Sequence, residues 1–186
     1  MAGNGKRRRP VLIGAVLVAA VLAGAGVYWF QPWKLWTDRT VDEALPAASG
    51  ASAPAPSAAG TPPPAGPAGP RTIAEGELIS HEHTTTGKVR LVELPDGSRT
   101  LRLEDLDTSN GPDLRVWLTD APVKEGTAGW RVFDDGKHVS LGKLKGNRGN
   151  QNYTVPADVR PADYTSVTIW CDRFDVSFGA AELHRV

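Results

Sequence analysis

The chain contains a single cysteine, Cys171, so an internal disulfide is excluded, while an intermolecular disulfide, a free thiol or a ligand role stays open. It contains no Gly-x-Ser-x-Gly motif, and no evident base lies near Cys171 in the sequence, so nothing predicts a classical enzyme. From Arg71 to the end, 15 Lys and Arg stand against 18 Asp and Glu, and no basic stripe occurs. This balance argues against nucleic acid as a partner.

A run of twenty uncharged residues, Val11 to Phe30, is present near the N-terminus. At about 1.5 Å rise per residue, such a run crosses a bilayer core of roughly 30 Å. Aromatic residues that favour the headgroup layer cluster at its far end: Tyr28, Trp29, Trp33 and Trp36. Four basic residues precede the run within residues 1–10 and two follow it, Lys34 and Arg39. The bias predicts a single-pass cell-membrane anchor with a cytoplasmic N-terminus and an extracytoplasmic C-terminal domain.

A cleaved signal peptide is the alternative interpretation of this run, with Ala23-Gly24-Ala25 as the processing site. The apolar run continues past Ala25 into the aromatic cluster, which favours a retained anchor that contacts the lipid bilayer through residues 11–30. The extracytoplasmic placement holds under either interpretation.

Two segments separate the anchor from the rest of the chain. Residues 31–45 form a juxtamembrane segment, in which Thr40 to Leu45 is expected to form one or two helical turns. Residues 46–70 consist almost wholly of Pro, Ala, Gly, Ser and Thr, a composition that predicts a disordered linker. We expect this linker to act as a spacer that holds the domain away from the membrane.

Residues 71–186 show short alternating apolar runs and no helical period of useful length. Pro95-Asp96-Gly97-Ser98 is a hairpin signal between two such runs. Eight or nine short strands at this spacing predict an all-β domain, an antiparallel β-sandwich or jelly-roll-like barrel.

The segment Ser166 to Gly179 contains two alternating runs around Cys171. A hairpin that turns at Asp172-Arg173 would place Cys171 opposite Phe174, with the apolar side chains of both runs on one face. Further pairs in this register are Ile169 with Val176 and Val167 with Phe178. Trp170 would lie on the opposite face.

The ordered set of motifs in this domain resembles the DM-thirteen domain, the small extracellular module also described as the electron-transfer DM domain. The motifs are Gly111-Pro112-Asp113-Leu114 with Trp117-Leu118, Leu141 to Gly146, Gly149 through Tyr153 to Pro156, and Ser166-Val167 to Ile169-Trp170-Cys171 with Phe174, Val176, Phe178-Gly179-Ala180 and Leu183. The resemblance covers about residues 71–186. It implies a β-sandwich whose signature cysteine is Cys171, with a redox role through a bare thiol or a bound group such as haem.

The residues themselves leave two interpretations of Cys171 open. Redox or ligand chemistry needs a thiolate, which Arg173 would favour and which Asp172, Asp175 and burial would oppose. A free cysteine also packs commonly as a small apolar core residue.

Other side chains are candidates for a site with Cys171. His81 and His83 would share a face on a strand, so haem ligation by Cys171 with one histidine, or a copper site with both, is conceivable. A solvated strand end is the alternative. Four acidic residues and one asparagine around one turn suggest a calcium loop or ordinary turn chemistry: Glu104, Asp105, Asp107, Asn110 and Asp113. Trp117, Trp130 and Trp170 would line an electron path or form core.

The sequence thus predicts a membrane-tethered extracytoplasmic module with a redox or electron-transfer role centred on Cys171. Its partner would be an unidentified extracytoplasmic or redox protein. The alternative is a non-catalytic binding or adhesion module in which Cys171 is structural core.

Overall fold

The computed structural model describes residues 5–46 and 69–186, and every structural statement below refers to these residues. A long helix, α1 (Gly5–Phe30), comes first. Its segment Val11–Phe30 has a mean hydropathy of 2.4 and no buried residue, so it is long and apolar enough to cross a membrane. A signal sequence near an N-terminus has the same character. After α1, Gln31 adopts a left-handed φ of 44° and a short 3-10 helix, Pro32–Trp36, follows.

Most of the remaining described chain forms two β-sheets, which confirms the predicted β-sandwich; short 3-10 helices at Gly126–Gly129 and Pro161–Asp163 lie between strands. The strands are β1 (Thr40–Asp42), β2 (Arg71–Glu77), β3 (Ile79–Ser80), β4 (Thr86–Glu93), β5 (Arg99–Asp107), β6 (Leu114–Thr119), β7 (His138–Lys143), β8 (Arg148–Val155), β9 (Ser166–Cys171), β10 (Val176–Glu182) and β11 (His184–Arg185). The six-stranded sheet has the order β1-β8-β5-β4-β2-β11, and the five-stranded sheet has the order β3-β10-β9-β6-β7. Neighbouring strands are antiparallel except for β1 and β8, which are parallel.

The core between the sheets, here called the inter-sheet core, comes from alternating apolar residues. In β6, Leu114, Val116 and Leu118 point into it, while Trp117 points to the other face of the five-stranded sheet. The six-stranded sheet supplies buried aliphatic residues from β4 and β5, such as Leu91 and Leu103. Each such side chain contributes about 1.5–3 kcal/mol when it is removed from water.

The outer face of the five-stranded sheet is buried as well. Residues 120–137, between β6 and β7, cover it and contribute Phe133, which is fully buried beside Trp170. We call the resulting group the outer cluster: Trp117, Ala121, Phe133, Trp170 and Ala180. All six residues of β9 are therefore buried, although only three of them face the inter-sheet core.

The juxtamembrane segment contains a strand where helical turns were expected. Thr40–Asp42 is β1, which pairs in parallel with residues 148–150 of β8 at the edge of the six-stranded sheet. Gly149 makes this pairing possible, because it has a φ of 90° and a side chain there would collide with the carbonyl oxygen of Val41. The Glu43 carboxylate then accepts hydrogen bonds from the Lys145 ammonium at 2.8 Å and from the Asn152 N–H at 2.8 Å.

The predicted linker, residues 46–70, connects two strands of one sheet. Its residues 47–68 lie outside the described residues, so the predicted disorder is not addressed. The strands before and after it, β1 and β2, both belong to the six-stranded sheet. Since β1 comes first, residues 31–39 join α1 to the sheet, and the linker is not the connection between them.

The hairpin of β9 and β10 has a different register from the predicted one. Cys171 pairs with Val176 rather than Phe174, because the turn contains four residues, 172–175, instead of two. Asp175 has a left-handed φ of 50°, and the Arg131 guanidinium donates to the carbonyl oxygens of Phe174 and Asp175. The longer turn and a register shift between Ser177 and Gly179 pair Ile169 with Gly179 and Val167 with Ala181, so both predicted pairs are also wrong. The predicted assignment of side chains to the two faces is correct, because Val167, Ile169 and Cys171 face the inter-sheet core and Trp170 lies on the opposite face.

Candidate functional site

Cys171 lies at the end of β9, the central strand of the five-stranded sheet. It pairs with Leu114 of β6 on one side and with Val176 of β10 on the other. The residue is 0% exposed and belongs to the inter-sheet core, with Ile169 and Phe178 in the same cluster. A dissolved reagent therefore has no direct access to the sulfur atom.

The surroundings of Cys171 favour the protonated thiol. Burial raises the pKa of Cys171, and the negative charge of Glu82 raises it further. The backbone N–H groups of Arg173, Phe174 and Asp113 oppose this rise, but burial has the larger effect on the pKa. Nucleophilic attack and metal ligation both need the thiolate, so this site does not stabilise the form that they require.

His81 lies in the bend after β3, and both of its ring nitrogens are engaged. Nε2 lies 3.0 Å from the carbonyl oxygen of Lys124, which only accepts, so Nε2 carries the proton. Nδ1 then accepts from the Ser177 hydroxyl at 2.7 Å. Burial lowers the pKa of His81, against a smaller opposite effect of the hydrogen bond to Lys124. This neutral histidine has no free nitrogen for a metal.

His83 faces a different part of the domain from His81. Its ring packs on Phe178 of the inter-sheet core, with 4.0 Å between centroids, whereas His81 stacks on Phe133 of the outer cluster at 5.7 Å. The expectation of a shared strand face fails because β3 ends at Ser80. Burial lowers the pKa of His83, and the charge of Glu82 partly opposes this effect.

The predicted ligands do not form a three-ligand metal site. Within residues 5–46 and 69–186, no group of three His, Cys, Asp or Glu side chains is arranged to hold a metal ion. The copper set of Cys171 with both histidines is therefore not assembled, and the hydrogen bonds of both His81 nitrogens leave this residue unsuited to ligate haem iron. Three carboxylates around the 104–113 turn pair with cations instead: Glu104 with Arg90 and Arg102, Asp107 with Arg148, and Asp113 with Arg115 and Lys143.

Aromatic rings stack on the outer face of the five-stranded sheet. The Trp117 and Trp170 rings are stacked with 5.1 Å between centroids. His138 lies nearly parallel to Trp117, at 4.3 Å and 8°. Sequence reasoning named both tryptophans and gave His138 only as a weaker candidate ligand; it did not place His138 on Trp117, because that contact depends on the register of β7 against β6. Trp130, the third named tryptophan, packs instead against the inter-sheet core.

A comparison with protein families gives a match over residues 77–183, to the family described as electron transfer DM13. The matched segment is more than half of the chain and contains Cys171, both candidate histidines and the outer cluster. The chain belongs to the electron transfer DM13 family. The resemblance stated from the sequence is thereby confirmed. No curated protein and no solved structure matches the chain.

The sheet of this DM13 domain extends beyond the matched residues and includes β1. The domain also contacts the end of α1 directly. The Arg173 guanidinium lies 5.3 Å from the centre of the Trp29 ring and donates to the Trp29 carbonyl oxygen at 2.7 Å. Phe174 stacks on Phe30 with 5.6 Å between centroids. The turn that follows Cys171 is thus the part of the DM13 domain next to the apolar helix.

Proposed function

We propose that this protein is a single-pass membrane protein whose DM13 domain lies outside the cytoplasm and transfers single electrons, with Cys171 as its redox residue. The observation that carries the proposal is the electron transfer DM13 match over residues 77–183, which contains the only cysteine of the chain.

The membrane assignment is supported by α1 and its flanks. The helix is long and apolar enough to span a bilayer, and aromatic residues lie at its C-terminal end. Four basic residues before it and two after it favour a cytoplasmic N-terminus. The contacts of Trp29 and Phe30 with the turn after Cys171 would hold that end of the domain at the bilayer surface.

The burial of Cys171 determines which redox chemistry the proposal includes. Disulfide exchange and peroxide attack proceed through an exposed thiolate, and Cys171 is fully buried with a raised pKa. One-electron oxidation of a thiol removes an electron and releases the proton to water, and it requires no contact between the sulfur and the oxidant. Cys171 would therefore exchange electrons while it stays inaccessible to thiol reagents.

The second candidate function is a binding module in which Cys171 is part of the core. The observation that favours it is the packing of Cys171 among apolar residues, with no set of metal ligands among the described residues. In that case, replacement of Cys171 would change stability and leave electron transfer untouched.

The test uses the full chain in lipid nanodiscs, illuminated in air with a soluble ruthenium complex that generates a one-electron oxidant. Peptide mass spectrometry then measures sulfinic and sulfonic acid at Cys171. We expect these products to form although a maleimide does not label the folded protein. The matched control moves the thiol to Ala74, equally buried in the other sheet, through Cys171→Ala with Ala74→Cys. Equal oxidation at position 74, or none at Cys171, contradicts the redox role.

A further inference from the structure

We propose that Trp117 and Trp170 form a relay that carries single electrons between the surface at His138 and the interior next to Cys171. The inference rests on the proposed function, because it supplies the route by which electrons would reach a buried thiol.

The geometry of the rings provides a continuous path. His138 is exposed and stacks on Trp117, which is 6% exposed, and Trp117 stacks on the fully buried Trp170. The centroid distances are 4.3 Å and 5.1 Å, so the facing rings are in van der Waals contact. Trp170 immediately precedes Cys171 in β9, but their side chains lie on opposite faces of the sheet, so the last electron step crosses the strand backbone. The path therefore runs from solvent to the centre of the five-stranded sheet.

The hydrogen bonding of the indoles suits transfer of an electron without a proton. The Nε1–H groups of Trp117 and Trp170 are buried, and neither has a hydrogen-bond partner among the described residues. An indole nitrogen only donates, and with no acceptor beside it the oxidised ring keeps its proton. The product is a ring cation in an apolar cluster, which burial destabilises. Such a cation is a short-lived intermediate that accepts an electron quickly and does not accumulate.

The electron balance of the relay requires an external one-electron acceptor that contacts the surface around His138. The acceptor is reduced by one electron from Trp117, and the oxidised Trp117 takes one electron from Trp170. Trp170 is refilled by the thiol of Cys171, whose proton passes to water as the sulfur radical forms. No bond breaks in the two ring steps, and only the S–H bond breaks in the last one.

Stacked rings in a small sandwich also stabilise the fold, by about 0.5–1.5 kcal/mol per pair. The test must therefore measure electron transfer rather than stability. A ruthenium oxidant is attached to His138 of the full chain in nanodiscs, with His184→Gln removing another exposed histidine. A flash generates the oxidant, and transient absorption follows its reduction and the tryptophan radical.

We expect fast reduction of the oxidant attached at His138, and Trp117→Phe should slow it by more than an order of magnitude. This substitution keeps an aromatic ring in the cluster but replaces one that is easily oxidised. The matched control carries the label on His184 in a His138→Gln variant, from which fast reduction should be absent. A melting curve of Trp117→Phe verifies that the variant is folded.

An unchanged rate in Trp117→Phe, or equally fast reduction of an oxidant at His184, overturns the relay. Failure of the relay and failure of the proposed function are distinguishable. Oxidation of Cys171 that persists in Trp117→Phe leaves the redox role intact and rejects this route. If tryptophan is oxidised quickly but Cys171 is not, the ring path between His138 and Trp170 is supported and the role of the thiol is rejected.

Discussion

The two faces of β9 are both buried, but they are held together by different interactions. The inward side chains, Val167, Ile169 and Cys171, pack in an apolar core. The outward side chains are Ser166, Thr168 and Trp170. Two of these carry hydroxyl groups that form hydrogen bonds beneath residues 120–137. The inward face needs only a close fit, whereas the hydroxyl groups on the outward face have hydrogen-bond partners and the Trp170 indole N–H has none among the described residues.

Thr168, Ser177 and His81 form one chain of hydrogen bonds, and Ser166 forms a separate bond. Thr168 Oγ1 lies 2.8 Å from Ser177 Oγ, and Ser177 donates to His81 Nδ1 at 2.7 Å. Ser166 donates to the carbonyl oxygen of Ala121 at 2.6 Å, which fixes the start of the covering segment. Titratable and aromatic groups therefore occur on the face of β9 that a simple alternation of apolar and polar side chains would assign to solvent.

The largest expected effect comes from truncating one large side chain on each face. Trp170→Ala should lower the free energy of unfolding by about 3–5 kcal/mol, and Ile169→Ala by about 2–5 kcal/mol, because both leave cavities in fully buried sites. Denaturant titration of the full chain in detergent measures both. If Trp170→Ala lowers the free energy of unfolding by less than about 1 kcal/mol while Ile169→Ala lowers it as expected, the outward face is not packed as described.

A smaller effect is expected from the outward hydrogen bonds. Ser177→Ala removes the donor to His81 and the neighbour of Thr168, and should cost about 1–3 kcal/mol for buried polar groups left without partners. Ser98→Ala is the matched control, since Ser98 is bonded to Asp96 but exposed. It should change stability by less than about 0.5 kcal/mol. Equal effects of the two substitutions would contradict the buried network.

The outward face should be sensitive to acid. The pKa of His81 is lowered in the folded state. The contribution of His81 to folding stability is therefore complete above the unfolded pKa of about 6.5 and is lost as the pH falls below that value. His83, with its pKa lowered in the same direction, adds to this slope. Unfolding measured between pH 7 and pH 5 should therefore show a decline that is weaker in His81→Gln. An identical decline in that variant would remove His81 as its cause.

The inward face should be sensitive to alkali. The raised pKa of Cys171 gives stability that is complete below the unfolded pKa of about 8.5 and is lost as the pH rises above it. Burial raises the pKa of Tyr153 to about 12, so Tyr153 adds to this loss of stability only above its unfolded pKa of about 10. Cys171→Ala should remove the decline between these two values. If the decline persists in that variant, another group is responsible.

The sequence predicts the inward face well because alternation directly reports which residues share a face. Val167, Ile169 and Cys171 lie together as expected, and Trp170 lies opposite. The hairpin register was not predictable from alternation, because Arg131, 43 and 44 residues before Phe174 and Asp175, donates to their carbonyl oxygens. Residues 120–137 contain no periodic pattern that would reveal their place over β9.

The strand β1 was missed because three residues, Thr40–Asp42, are too few to show a period. Gly149 carries the available signal, since a glycine with positive φ in a strand indicates close approach of another backbone. The expected shared face of the two histidines is wrong for a similar reason. Spacing placed His81 and His83 two residues apart, but only the bend after Ser80 determines that their rings face different clusters.

The lifetime of the tryptophan radical tests the central claim most directly. It is measured after a flash on the full chain in nanodiscs labelled at His138, with and without Cys171→Ala. If Cys171 is the redox residue, the radical should decay faster in the native protein, because the thiol refills Trp170. Equal decay in both proteins would contradict the claim and assign Cys171 to the core alone.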